Sequence, residues 1–268
     1  MNDRLFSLEG RTALLTGAAG LLGGVFAQAL AEAGAQVALV DLAAPTDLAS
    51  RLSDETGSKL RAYACDLRDA SLFENLVDQI ERDLGPVDIL HNNAATKGAD
   101  LAKFFVPDED FDVALWREIM SVNLDAMFFL ARVVGPRMAA RGGGSIIQTG
   151  SIYGLIAPDQ RIYEGSSYHG LQISSPAIYS ASKAGVVGLT RHLASLWGAK
   201  GVRVNCLVPG GVRAAQNDVF ETSYSRRVPL GRMATPEDLV GALIFLASNA
   251  SAYVTGQVLA VDGGLTAW

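Results

Sequence analysis

The sequence predicts an α/β fold: a doubly wound parallel seven-stranded sheet with helices on both faces. Two observations carry that expectation. Short β-branched or leucine-rich runs alternate with longer helical stretches from end to end, which is the pattern of repeated strand–helix–strand units. A glycine-rich turn, Thr16-Gly17-Ala18-Ala19-Gly20-Leu21-Leu22-Gly23, also leads from the first apolar run straight into a helical one. Parallel strands joined by helices require right-handed crossovers, so both sheet faces become covered and ligands bind at the carboxyl ends of the strands.

The elements follow in order. Strands are expected at Thr12–Thr16, Gln36–Val40, Leu60–Ala64, Val87–His91, Ser145–Thr149, Val202–Val208 and Gln257–Val261, each a short apolar run such as Val37-Ala38-Leu39-Val40. Helices fill the gaps at Leu21–Ala33, Asp47–Glu55, Ser71–Leu84, Asp110–Arg141, Ala177–Ala199 and Pro236–Ser248, where apolar residues recur with a helical period. No repeat, linker or low-complexity tract interrupts the chain, so residues 1–268 are expected to form one domain. Two stretches, 152–176 and 210–229, read as loops of unusual length and are expected beside the site.

Composition removes several classes of function. With 49% hydrophobic and 19% charged residues the chain is not disordered, and its 268 residues bury enough surface that Cys65 and Cys206 are not needed as staples. A reducing cytoplasm is therefore the expected compartment. The formal net charge of -6 comes with no Lys/Arg cluster able to follow a run of phosphates, which argues against nucleic acid. Thr12–Ala31 is uncharged, yet it holds four glycines and follows Asp3, Glu9 and Arg11, unlike a membrane anchor or leader. His91, His169 and His192 fall on separate elements and no metal site is expected.

The glycine turn suits a pyrophosphate, because glycines let backbone N–H groups approach it and a helix N-terminus favours its charge. Asp41 closes the second strand eighteen residues after Gly23, where a carboxylate can accept from the ribose hydroxyls of adenosine. It would repel a 2′-phosphate, and neither Ala18 nor Ala19 offers a cation to hold one, so NAD is the expected cofactor. Further on, Tyr179 and Lys183 stand at i and i+4 on a helix that starts after Pro176. A cation beside a phenol moves its pKa toward neutrality, as acid–base chemistry requires.

In these residues and the motifs around them, the chain resembles the short-chain dehydrogenase/reductase family in its core-length branch, over essentially the whole sequence. Eight motifs match in order: the glycine turn, Asp66 in Cys65-Asp66-Leu67, Asn92-Asn93-Ala94-Ala95, Ser121-Val122-Asn123, Gly150-Ser151-Ile152-Tyr153-Gly154, the Tyr179/Lys183 pair, Asn205-Cys206-Leu207-Val208-Pro209-Gly210-Gly211, and Val261-Asp262-Gly263-Gly264. The resemblance implies a Rossmann fold and hydride transfer to or from a nicotinamide. Tyr179 would then be the general acid/base, Ser151 would hydrogen-bond the reacting oxygen, Lys183 would lower the Tyr179 pKa and hold the nicotinamide ribose, and Asn123 would fix a relay water. Cofactor contacts are implied at Gly17, Gly20, Leu22, Gly23, Asp41, Leu42, Asp66, Leu67, Asn93, Ala94, Ala95, Pro209, Gly210 and Val212, besides Tyr179 and Lys183. The family also implies a homotetramer, or a homodimer, built on the helices near Asp110–Arg141 and Ala177–Ala199.

Two departures matter. Leu21 stands where the core-length branch has its middle glycine, a spacing closer to the extended branch of nucleotide-sugar epimerases and dehydratases. That branch and a non-catalytic NAD-binding sensor are the alternative readings. Tyr179 follows Ser151 by 28 positions, where the family commonly has about a dozen, a length that marks a functional loop. The added residues, including Arg161, Tyr163, Tyr168, His169 and Gln172, are polar and aromatic. Such a wall suits a hydroxyl-rich or anionic substrate, and a polar, sugar-derived alcohol or ketone is expected. The chain's closing segment looks similar to members associated with surface-glycan or flagellin sugars, and somewhat to gluconate 5-dehydrogenases.

Overall fold

The computed structural model describes residues 5–268; Asp3 lies outside them. In chain order the elements are β1 (Thr12–Thr16), α1 (Leu21–Glu32), β2 (Gln36–Asp41), α2 (Thr46–Thr56), β3 (Leu60–Ala64), α3 (Phe73–Leu84), β4 (Val87–Asn92), α4 (Leu101–Phe104), α5 (Val113–Met120), α6 (Ala126–Ala140), β5 (Gly144–Thr149), β6 (Ser167–Tyr168), β7 (Leu171–Gln172), α7 (Ala177–Trp197), β8 (Val202–Pro209), α8 (Asp218–Ser225), α9 (Val240–Ala247) and β9 (Val258–Val261). Seven of the strands form one sheet in the order β3-β2-β1-β4-β5-β8-β9, parallel throughout. The chain reverses its direction of winding between β1 and β4, which opens a crevice at their carboxyl ends.

The sheet is buried on both sides because its strands alternate between two cores. Ala13, Leu15, Val37, Leu39, Ile89 and Ile147 face α1, α2 and α9. Leu14, Ala38, Val40, Leu90, Ile146 and Val204 face α3, α6 and α7. Strands buried on both faces read as continuous apolar runs rather than as alternation, which is why they are legible as strands.

The long helix expected over Asp110–Arg141 begins later, at Val113, where the Asp112 side chain accepts from the Leu115 N–H and caps it. It continues to Ala140 but is broken by a π turn at Ser121–Asp125, the segment that carries Asn123. Pro136 lies inside α6. This Val113–Ala140 run has the length and apolarity of a membrane span by composition, with half of that window buried against the rest of the molecule.

The two stretches expected to be loops are more structured than that. Residues 152–176 hold two 3-10 turns and the β6–β7 hairpin, whose two-residue tip puts His169 at φ +50° and Gly170 at φ +77°. Positive φ at both tip residues is the geometry that matches strand twist. Residues 210–229 contain α8, capped by the Asn217 side chain accepting from the Phe220 N–H. Short apolar-poor segments of this kind have too few residues to show a period, and their structure comes from caps and from each other.

Gly135 on α6 meets the Trp197 ring of α7 so closely that a Cβ would stand 2.4 Å from the ring edge. Gly135→Ala should therefore destabilise the protein by about 1–3 kcal/mol in urea unfolding through overpacking, despite the better helix propensity of alanine. A rise in the unfolding midpoint would show that the helices separate freely.

Candidate active site

A cavity of about 1010 Å³ runs along the carboxyl ends of the strands from Asp41 to Tyr224. Its adenosine-sized end is built on three strand ends. Asp41, finishing β2, accepts from the Ala19 N–H (2.9 Å) with one oxygen and from the Leu42 N–H (2.8 Å) with the other. Asp66 follows β3 and is ion-paired to Arg68 (2.6 Å), which holds its carboxyl below the usual carboxylate range. Leu42, Leu67 and Arg68 line the wall between them.

The middle of the cavity is the glycine turn. Gly17 has φ +67°, and a Cβ on it would stand 2.7 Å from the Ala94 Cα. Gly23 is still tighter, with a Cβ 2.0 Å from the Gly17 carbonyl oxygen. The missing side chain at Gly23 lets α1 pack under the turn. Helix α1 has no side-chain cap at Gly20 and no acidic residue in its first turn, so its first N–H groups face the cavity unneutralised. A backbone cradle that only glycine can form, opening on an uncapped helix N-terminus, fits a pyrophosphate. Gly17, Gly20 and Leu22 line this part, opposite Asn93, Ala94 and Ala95.

The turn is held by the loop after β4. The Thr16 hydroxyl accepts from the N–H groups of Asn93 (3.0 Å) and Ala94 (3.1 Å), while the Asn93 amide donates to the Thr16 carbonyl (3.2 Å). Asn123, fully buried in the π turn, accepts from the Thr96 N–H (2.7 Å) and donates to the Thr96 carbonyl (3.2 Å). Its side chain is thereby committed to the Thr96 backbone. Local π geometry disturbs the helical bonding of the backbone at this point.

At the other end, Ser151 follows β5, its hydroxyl accepting from the Tyr153 N–H (3.2 Å), and it lines the same cavity as Tyr179 from the first turn of α7. One turn later Lys183, 2% exposed, donates to the Thr149 carbonyl (2.9 Å). Burial pushes its pKa down to about 8. Burial also raises the Tyr179 pKa, and only Ser151 opposes it. The Lys183 ammonium is thus engaged by Thr149, one turn along α7 from the Tyr179 phenol, whose pKa burial raises. His91 is no acid–base group here, since burial pushes it down to about 3 and its Nε2 lies 2.9 Å from the Thr149 Oγ1.

Pro209, Gly210 and Val212 continue the wall after β8. Beyond Tyr179 the cavity is lined by Tyr153, Tyr163, Tyr168, Phe220 and Tyr224, with Lys97 on the opposite rim. Tyr163 donates to the Tyr153 hydroxyl (3.0 Å), and Tyr153 meets the Tyr179 ring edge-to-face at 6.4 Å. Arg68, Lys97 and Tyr224 were not singled out by the sequence reading. They carry no spacing signal, although the insertion's tyrosines were visible as a polar, aromatic wall.

Acid–base residues at one end of a dinucleotide-sized crevice define a nicotinamide-dependent oxidoreductase acting on CH–OH groups. The family model adh_short_C2, described as enoyl-(acyl carrier protein) reductase, matches residues 17–266. D-threitol dehydrogenase of Mycolicibacterium smegmatis is 36% identical over 97% of this chain and 95% of its own. Gluconate 5-dehydrogenase from Burkholderia cenocepacia J2315, solved with NADP and tartrate, superposes with a TM-score of 0.87 at 32% identity over 100% of both chains. A short chain dehydrogenase from Leptospira borgpetersenii, solved with bound NAD+, gives a TM-score of 0.84 at 32% identity over 97% of this chain and 94% of that one. The chain belongs to the short-chain dehydrogenase/reductase family.

Because Tyr179 is raised from the ordinary 10.0, the cofactor-free protein should show no phenolate from it below about pH 10. The ultraviolet difference spectrum of wild type against Tyr179→Phe, followed as pH rises, should be flat through neutrality. A phenolate near pH 7 would mean that the free protein already activates the tyrosine.

Proposed function

We propose that the protein is a cytoplasmic NAD-dependent dehydrogenase that interconverts a secondary alcohol and a ketone on a polar, sugar-derived substrate. The observation that carries this reading is that Ser151 and Tyr179 line one end of a cavity also lined by Tyr153, Tyr163, Tyr168 and Tyr224. A carbonyl or alcohol oxygen seated between Ser151 and Tyr179 meets two hydroxyl groups, while the other tyrosines offer donors and acceptors to further hydroxyls of the same molecule. Polyol and sugar-acid names among the relatives and neighbours support the same substrate class.

In the direction of oxidation, Tyr179 would accept the alcohol proton as its phenolate, the form reached in the cofactor-bound enzyme, while the carbon gives up a hydride. The nicotinamide, when bound, supplies the two-electron acceptor for that hydride. Ser151 orients the oxygen, and Lys183 and Asn93 stand where they would hold the nicotinamide ribose and the turn beneath it. Asn123 keeps the Thr96 backbone in place. Gly17, Gly20, Leu22, Ala94, Ala95, Pro209, Gly210 and Val212 would line the dinucleotide, with Asp66 and Leu67 at its adenine.

Asp41 supports NAD over NADP. Each of its oxygens already accepts one backbone N–H and has lone pairs left for ribose hydroxyls, and among the described residues it is paired with no cationic side chain that could hold a 2′-phosphate. Cys65 and Cys206 are free and buried, with both thiols pushed up to about 11, as suits a reducing compartment. Exposed Trp116 and Leu196 on α5 and α7 support assembly of one-domain subunits into a homotetramer or homodimer through those helices.

Tyr179→Phe should lower turnover by about 10²- to 10⁴-fold while NADH binding stays near wild type. Turnover within a few-fold of wild type would overturn the assignment of Tyr179. In fluorescence titration NADH should bind more tightly than NADPH, and Asp41→Ser should narrow that difference by improving NADPH. Tighter NADPH binding by the wild type would reverse the assignment of the cofactor.

A further inference from the structure

Lys97 lies just after the β4 loop, on a backbone fixed from both sides. Asn123 grips both polar groups of Thr96, and the Thr96 hydroxyl accepts from the Gly98 N–H (3.0 Å). The side chain runs into the substrate end of the cavity, where its ammonium stands 4.5 Å from the ring centre of Tyr168, 5.7 Å from Phe105 and 5.9 Å from Phe104. No ion pair or hydrogen bond of its ammonium is found among the described residues, and burial holds its pKa below the ordinary lysine value. The cation faces the same space as Ser151, Tyr153 and Tyr179.

A charge removed from water needs a partner, and aromatic faces recover only about 0.5–2 kcal/mol of what its hydration supplied. The aromatic cage therefore orients the ammonium without neutralising it. We propose that Lys97 recognises a carboxylate on the substrate, so that the polyhydroxy compound of the preceding section is a sugar acid rather than a neutral polyol. The inference rests on that reading of the site.

One compact ammonium matches the single charge of a carboxylate, whereas a phosphate dianion calls for a second cation or a guanidinium fork. Tyr153 and Tyr163 line the same cavity as Lys97 and the reacting groups, and their hydroxyls suit those of the intervening carbons. The carboxylate is a spectator: the alcohol carbon loses its hydride to the nicotinamide and its hydroxyl proton to Tyr179. Tyr168 comes from the insertion, which explains what that extra chain does for specificity.

Gluconate and sorbitol differ at one carbon, carboxylate against hydroxymethyl, and form the matched pair for the test. Calorimetric titration of the NADH-bound protein should give tighter binding of gluconate by about 10- to 100-fold, the worth of a charged hydrogen bond. Lys97→Met should abolish that preference, Lys97→Arg should keep part of it, and NADH titration reports whether each variant is folded. Equal affinity for the two compounds, binding of neither by the wild type, or a preference that survives in Lys97→Met overturns the proposal. Tighter binding of inorganic phosphate than of acetate at the same site does so too, by assigning the subsite to phosphate. Oxidation assays on both compounds separate this proposal from the one it rests on. Turnover of sorbitol as fast as gluconate sinks the carboxylate subsite alone, whereas Lys97-dependent gluconate binding with no turnover of any alcohol or ketone sinks the alcohol–ketone reading.

Discussion

The site depends on one clasp across the point where the sheet changes winding direction. Thr16 ends β1 and Asn93 follows β4, and their side chains bond to each other's backbone. Neighbouring parallel strands bring these two ends together, but their loops diverge to opposite faces and would leave N–H and C=O groups unpaired. The clasp satisfies those groups and fixes Gly17 against Ala94 at a distance no side chain tolerates. From that fixed point the glycine turn extends toward Asp41 on one side, and the Thr96–Lys97 segment extends toward the substrate end on the other.

The electrostatics of the chemical end are incomplete without the dinucleotide. Lys183 is buried and bonded to a carbonyl, and Tyr179 is neutral with its pKa raised. Low dielectric strengthens whatever charge arrives there. The site keeps its acid neutral and its cation on a carbonyl oxygen. Its polar groups are kept in readiness by burial rather than by standing ion pairs.

The fold was largely legible because it rests on hydrophobic period, and period survives in any strand or helix of ordinary length. Thr12–Thr16 and Leu60–Ala64 have the bounds read from sequence, and the other main strands shift by a residue or two. The residues lining the crevice were legible for a different reason: turns, caps and acid–base pairs sit at fixed offsets from the strand ends. What was not legible depends on three-dimensional geometry. Gly23 reads the same whether it touches a ligand or a helix, and the partner of Asn123 is set by a π turn with no sequence signature. Lys97 acquires meaning only when Phe104 and Phe105, at the end of the next helix, and Tyr168, far along the chain, close around it.

The β6–β7 hairpin and the segment before α8 are bonded to each other: His169 N–H to the Ala215 carbonyl, Asn217 N–H to the Ser167 carbonyl, and Ser167 N–H to the Asn217 side chain. Two connections that enter from different strands therefore behave mechanically as one plate. Widening the mouth for a bulkier molecule cannot be done by displacing either alone, because three hydrogen bonds tie their displacements together. The price of such stiffness is limited adaptability, so changes of substrate in this protein should come from exchanging side chains on the plate rather than from its bending.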